Sequence, residues 1–152
     1  MQNVRTFLLS VAVIGSCFTG VYSMNGLTRQ VSQELFTGNF AKGRPYTPTV
    51  YKLSYFDVHK KERGSVLVRM ASDVDSKLKY VYVDGFFVPQ EGFIDQIAAD
   101  VLKFSKGHNA GGVLRIKDDR TGAKTLVYAL EKCGAQRVYE SVNRHSSFRI
   151  PK

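Results

Sequence analysis

The chain has 152 residues, 43% of them hydrophobic and 23% charged, which suits one globular domain and excludes wholesale disorder. Its 22 lysines and arginines outnumber 13 aspartates and glutamates, a formal net charge of +9 that attracts nucleic acid, anionic lipid or an acidic partner without favouring any fold. Cys17 and Cys133 lie in unrelated contexts and give no disulfide framework. His59, His108 and His145 lack the spacing of a zinc site, so no metal is expected.

The chain opens on an apolar segment. From Thr6 to Ser23 it reads TFLLSVAVIGSCFTGVYS, and no charge falls between Arg5 and Arg29. One positive residue, an apolar run and then small residues are the pattern of a secretory signal peptide. Residues 1–23 are therefore set apart from a domain over 24–152. Val21-Tyr22-Ser23 offers one cleavage site. Ile14-Gly15-Ser16-Cys17 is arranged like a bacterial lipobox, with Cys17 as the lipid carrier. A single membrane helix is another alternative, since about 20 apolar residues span a bilayer, and a helix buried against the domain is a third. The first readings make the protein exported or membrane-associated; the last leaves it intracellular or within a particle.

Asn25 and Gly26 break the apolar run. Leu27, Val31 and Leu35 then recur every four residues among polar neighbours, which predicts a short amphipathic helix. Gly38 to Pro48 reads as a loop. Val50–Val58 and Ser65–Ala71 are rich in β-branched and aromatic residues and flank the polar turn HKKERG, so they form a β-hairpin. Lys60, Lys61 and Arg63 then sit at its tip, as a basic finger for phosphate or simply a soluble hairpin end.

Leu78–Val88 is the strongest strand signal, and Asp84-Gly85 within it predicts a bulge. Phe93, Ile97, Val101 and Phe104 give the next helix its apolar stripe, and Gly107 is its expected stop. Val113–Lys117 is a short buried strand. A helix from about Thr121 to Cys133 follows, with Gly134 at its C′ position. Arg137–Val142 and Ser147–Ile150 are the last strands. A strand, helix, strand order of this length predicts a parallel pair with a crossover. The fold class is mixed α/β: an antiparallel hairpin, a parallel β-α-β core and antiparallel C-terminal strands around one mixed sheet.

This order, together with the run AKTLVYALEKCGAQRVYE, resembles the GNAT-type N-acetyltransferases, with Glu131, Lys132, Gly134 and Ala135 on the end of a family motif. The resemblance covers roughly Val50 to Ile150. It implies a bulged strand, a helix that grips the pyrophosphate of acetyl-CoA, and a catalytic acid on the following helix. The matching phosphate loop here is Pro89-Gln90-Glu91-Gly92-Phe93-Ile94-Asp95, so Gln90, Gly92 and Phe93 are the positions that would hold the coenzyme. Phe93 and Asp95, or Ile94, stand where the family has small residues, and Glu91 and Asp95 bring negative charge to the helix start. The family's acidic tyrosine falls on Leu130; Tyr128 is two residues away, on another side of the helix. Asp84 is the base candidate if the chain is an enzyme, with Asp73 and Asp75 as alternatives.

Leu130 followed by Gly134-Ala135 is also similar to short GNAT-like proteins of tailed bacteriophages, some of them virion components. The expectation is thus a domain of acetyltransferase-like fold that binds or assembles with a protein partner and needs no cofactor. The alternatives are a divergent acetyl-CoA-dependent N-acetyltransferase, with coenzyme between the Leu78–Val88 and Val113–Lys117 strands, or an exported or lipid-anchored protein of unrelated function. The charge also allows an anionic membrane surface or nucleic acid, although most aromatic residues stand at strand positions that a core would use.

Overall fold

β-Branched and aromatic residues dominate the first half of the chain, and there they build strands. A computed structural model describes residues 18–24, 26–34, 49–72, 79–87, 91–118, 122–139 and 145–152. Strand β1 (Phe18–Met24) pairs antiparallel with β2 (Leu27–Glu34), starting from Met24 opposite Leu27. That register leaves a two-residue turn, and Gly26 takes the left-handed conformation (φ 80°) which such a turn requires.

Leu27–Glu34, within the helix expected over Leu27–Leu35, is therefore a strand; Leu35 lies outside the described residues. A spacing of four fits a strand as well as a helix, because residues i and i+4 share a face in both. Leu27 and Val31 are buried, and Arg29 between them faces the same way to meet Asp100. The polar Arg29 at an inward position concealed the alternation. The boundary drawn after Ser23 falls inside β1. Cys17 and the rest of residues 1–17 lie outside the described residues, and so do the lipobox and the apolar run before it. Among the described residues no helix is long and apolar enough to cross a membrane.

β3 (Thr49–Asp57) and β4 (Glu62–Ser72) form the expected hairpin, and β5 (Lys79–Phe87) pairs antiparallel with β4. A 3₁₀ turn (Glu91–Phe93) leads into α1 (Ile94–Asn109), which runs through Gly107 rather than stopping there. β6 (Val113–Lys117) lies parallel to β5, and α2 (Ala123–Lys132) follows it. Beyond α2 come β7 (Gln136–Val138) and β8 (His145–Arg149); β8 inserts between β6 and β7, antiparallel to both. The eight strands make one sheet in the order β1-β2-β3-β4-β5-β6-β8-β7. Antiparallel beginning, parallel centre and antiparallel end all match the sequence expectation.

Both helices pack against each other and against one face of this sheet. Val66, Val68, Val81, Val83, Leu114, Ile116 and Phe148 from the strands meet Ile97, Ala98, Val101, Leu126 and Leu130 from the helices. Each of these side chains apart from that of Ala98, removed from water, contributes roughly 1.5–3 kcal/mol before entropy is counted. Gly134 (φ 84°) ends α2 as expected: its N–H bonds the carbonyl of Glu131, and that of Ala135 bonds Leu130. These two bonds are a Schellman cap.

Candidate functional site

β4 and β5 do not match residue for residue. Leu67 faces Gly85 while Val68 faces Val83, so Asp84 is the extra residue of a bulge. The bulge predicted at Asp84-Gly85 is present. Pairing of β5 with β6 runs from Tyr80–Val113 to Val83–Ile116 and ends there, while β5 continues beside β4 to Phe87. The two parallel strands thus part company at the bulge, where the acetyltransferase alternative would put coenzyme A.

A side chain crosses that space. Phe86 lies opposite Val66 and packs against the core. Gly122, the N-cap of α2, adopts φ 79°, and a Cβ there would stand 2.8 Å from Phe86 Cδ1. The ring therefore reaches from β5, past the end of β6, to the first turn of α2. Asp84 itself is held by Arg69, whose Nε donates at 2.6 Å to Oδ2 and Nη2 at 3.1 Å to Oδ1. Both carboxylate oxygens of the candidate base accept from one fixed cation.

The entry to α1 is equally occupied. Gln90 lies outside the described residues. Gly92 is exposed, and open space surrounds the position a Cβ would take. Phe93 is the N-cap residue and has no side-chain group to cap with; the Arg63 guanidinium lies 5.9 Å from its ring centre. Asp95 in the first turn pairs with Lys132 at 2.5 Å, and the Cys133 thiol donates to the Asp95 carbonyl at 3.5 Å. The Asp95 carboxylate holds the Lys132 ammonium above its usual pKa. Burial, then the Asp95 charge, pushes the Cys133 thiol up. Acid in a first helical turn satisfies the dipole that an incoming phosphate would use. Together with Phe86, these residues do not fit an acetyl-CoA pyrophosphate and its arm.

Leu130, at the position of the family's acid, is completely buried, whereas Tyr128 is 70% exposed. Tyr128 instead borders an open cleft of about 370 Å³ between α2 and the β7–β8 pair. A polar chain runs through it. Arg137 donates to Glu131 (3.2 Å) and to Ser146 (3.0 Å), and the Ser146 hydroxyl donates to Asp118 at 2.7 Å. Sequence reasoning missed Asp118 and Ser146, because only the β6–β8 pairing brings them together. The Ser146 hydroxyl bonds a guanidinium and a carboxylate, the pattern of a structural link rather than of a nucleophile beside its base.

The remaining candidates are dispersed. Asp73 and Asp75 lie outside the described residues. Arg63 is half-buried and paired with Asp57, while Lys60 and Lys61 are exposed at the hairpin tip. His59 donates its backbone N–H to Asp57, His108 stacks on Phe104, and His145 meets the Tyr82 ring. Among the described residues no group of three His, Cys, Asp or Glu side chains could hold a metal ion.

No family model matches the chain, and no curated protein does. Among solved structures, it is similar to one described as a “putative acetyltransferase” from Sphaerobacter thermophilus DSM 20745. That protein is 11% identical, and the likeness covers 88% of this chain and 96% of the other with a TM-score of 0.49. The mixed α/β class rests on the strand order itself: a bulged strand, a helix, a parallel strand, a second helix and an antiparallel pair.

Proposed function

We propose that this chain is a binding domain on an acetyltransferase-like scaffold, and that the crevice between β5 and β6 no longer takes acetyl-CoA. The observation that carries this reading is Phe86 against Gly122, with a prospective Cβ only 2.8 Å from the ring. Two further features support it. Leu130 has no proton to give, and Asp84 gives both oxygens to Arg69. Transfer of an acyl group needs a positioned acid and base, and of the described candidates Leu130 cannot serve as the one and Asp84 is engaged as the other. The proposed role is therefore recognition of, or assembly with, another macromolecule.

Thermal unfolding of the full chain with millimolar acetyl-CoA, beside an unrelated nucleotide, tests the proposal. Ligand at ~100 times its dissociation constant would stabilise the folded state by about 2.7 kcal/mol, an upward shift of several degrees for a domain of this size. The expected result is no shift specific to acetyl-CoA. A specific shift would restore the transferase reading.

A further inference from the structure

None of the residues that close the crevice between β5 and β6 lines the cleft between α2 and the β7–β8 pair. Its volume of about 370 Å³ falls at the small end of the range for ligand sites, ~300–1,000 Å³. One wall is a stripe of α2. Lys124, Val127, Tyr128 and Glu131 follow at i, i+3, i+4 and i+7, the spacing that puts side chains on a single helical face. The other wall comes from Asp118 just after β6, Arg137 on β7 and Ser146 on β8. Ser146, only 4% exposed, accepts from Arg137 and donates to Asp118, so these side chains hold one another in place before any ligand arrives. The charges of the cleft balance in number, yet two of them are unspent. Arg137 pairs with Glu131 at 3.2 Å. Asp118 uses Oδ1 for Ser146 and leaves Oδ2 without a hydrogen bond among the described residues. Among the same residues the exposed Lys124 ammonium has no ion pair.

We infer that this cleft binds a free α-amino acid, with its ammonium on Asp118 and its carboxylate on Lys124. The inference goes beyond reading the chain as a binding domain and does not depend on the closed crevice. A lone anion entering the cleft would meet Asp118 and Glu131, and a lone cation would meet Lys124 and Arg137. Like charges brought together are costly in either case, whereas a zwitterion sets each sign against its opposite. A residue inside a peptide chain carries neither main-chain charge, so these two groups select the free molecule. Half-buried Val127 and the Tyr128 ring, 70% exposed, offer apolar contact to the ligand's side chain.

Isothermal titration calorimetry of the full chain with L-leucine, L-methionine and L-phenylalanine, beside the N-acetyl and amide forms of each, provides the test. At least one free amino acid is expected to bind saturably at a single site. Each cap removes one charge-assisted contact, so both capped forms should bind about ten-fold more weakly. Lys124→Met alters an exposed side chain. It should weaken binding of the free amino acid about ten-fold and erase its advantage over the amide, while the advantage over the N-acetyl form remains. Asp118→Asn keeps an oxygen for Ser146 and should do the reverse, erasing only the advantage over the N-acetyl form. This crossed pattern is one that a merely unfolded or loosened variant does not produce. Absence of saturable binding by all three amino acids would overturn the inference. Equal binding of free and capped forms would overturn it too, as would an affinity unchanged in both variants, since the ligand would then lie elsewhere.

Discussion

Arg29 on β2 and Asp100 on α1, separated by 71 residues, meet in a buried ion pair, with Arg29 Nη1 2.8 Å from each carboxylate oxygen. Tyr55 on β3 completes the group by donating its hydroxyl to Asp100 Oδ2 at 2.9 Å. Two strands and a helix are thereby pinned to one carboxylate, whose side chain is 3% exposed. Removing one member of a buried pair leaves the other charge uncompensated, at a cost of about 3–5 kcal/mol. Asp100→Asn should lose stability in that range in urea unfolding. The double change Arg29→Met with Asp100→Leu should lose much less, because no charge is then stranded.

Tyr55 makes stability sensitive to alkali. Its burial, then the Asp100 charge and the hydrogen bond, raise its pKa well above the ordinary value near 10. The folded state keeps the phenol proton while the unfolded chain gives it up. The stabilisation is therefore complete below pH 10 and lost as pH rises from there toward the folded value. Tyr55→Phe should flatten this alkaline decline and cost about 1.5–3 kcal/mol at neutral pH, the range for a hydrogen bond to a charged group. Unfolding midpoints between pH 8 and 11 would show both effects; an unchanged alkaline slope would count against them.

The β3–β4 turn is organised by Asp57. Its Oδ1 accepts the N–H groups of His59 and Lys61 at 2.9 Å, and its Oδ2 accepts from Arg63 at 2.7 Å. The Lys61 amide is the largest of the influences that hold its carboxyl below the usual range, with Arg63 and His59 adding to it. A lowered folded pKa stabilises above the ordinary carboxylate value and ceases to do so as pH falls through the folded one. An NMR titration should place Asp57 below ordinary aspartates, and Asp57→Asn should reduce the acid-side loss of stability.

Lys60 in the same turn holds a left-handed backbone at φ 61°. Glycine takes that conformation without the steric cost of a Cβ, though it is freer when unfolded. Lys60→Gly should raise stability by about 0.5 kcal/mol in denaturant unfolding.

Gly122 and Phe86 form a coupled pair. Gly122→Ala places a Cβ 2.8 Å from the ring on a left-handed backbone, so it should cost about 1–3 kcal/mol. Phe86→Ala removes the collision but not the backbone strain. A double-mutant cycle should therefore show the two changes costing less together than separately. Simple additivity would mean that the ring does not press on this turn.

Much of the second half of the fold was legible in the residues. The Asp84-Gly85 bulge, the β6 strand and the Gly134 cap each depend on neighbours in the chain, and each stands where the sequence put it. The candidate site was less legible. Gly92 and Asp84 could be named as positions, but Arg69, which engages Asp84, comes from β4, and Phe86 meets Gly122 only once β5 and the start of α2 are brought together.

The alternation of apolar residues and the placing of turn glycines determined by themselves that this chain is mixed α/β with a parallel centre, because period and turn chemistry are local properties. Only the tertiary structure decided that Leu27–Glu34 is a strand, since a spacing of four satisfies both periods and its Arg29 is explained only by Asp100. It alone decided, too, that Tyr80 and Tyr82 turn away from the helices toward Arg69 and Arg115. Which face of a strand meets the core depends on where the helices settle, and that is a relation between residues far apart in the chain.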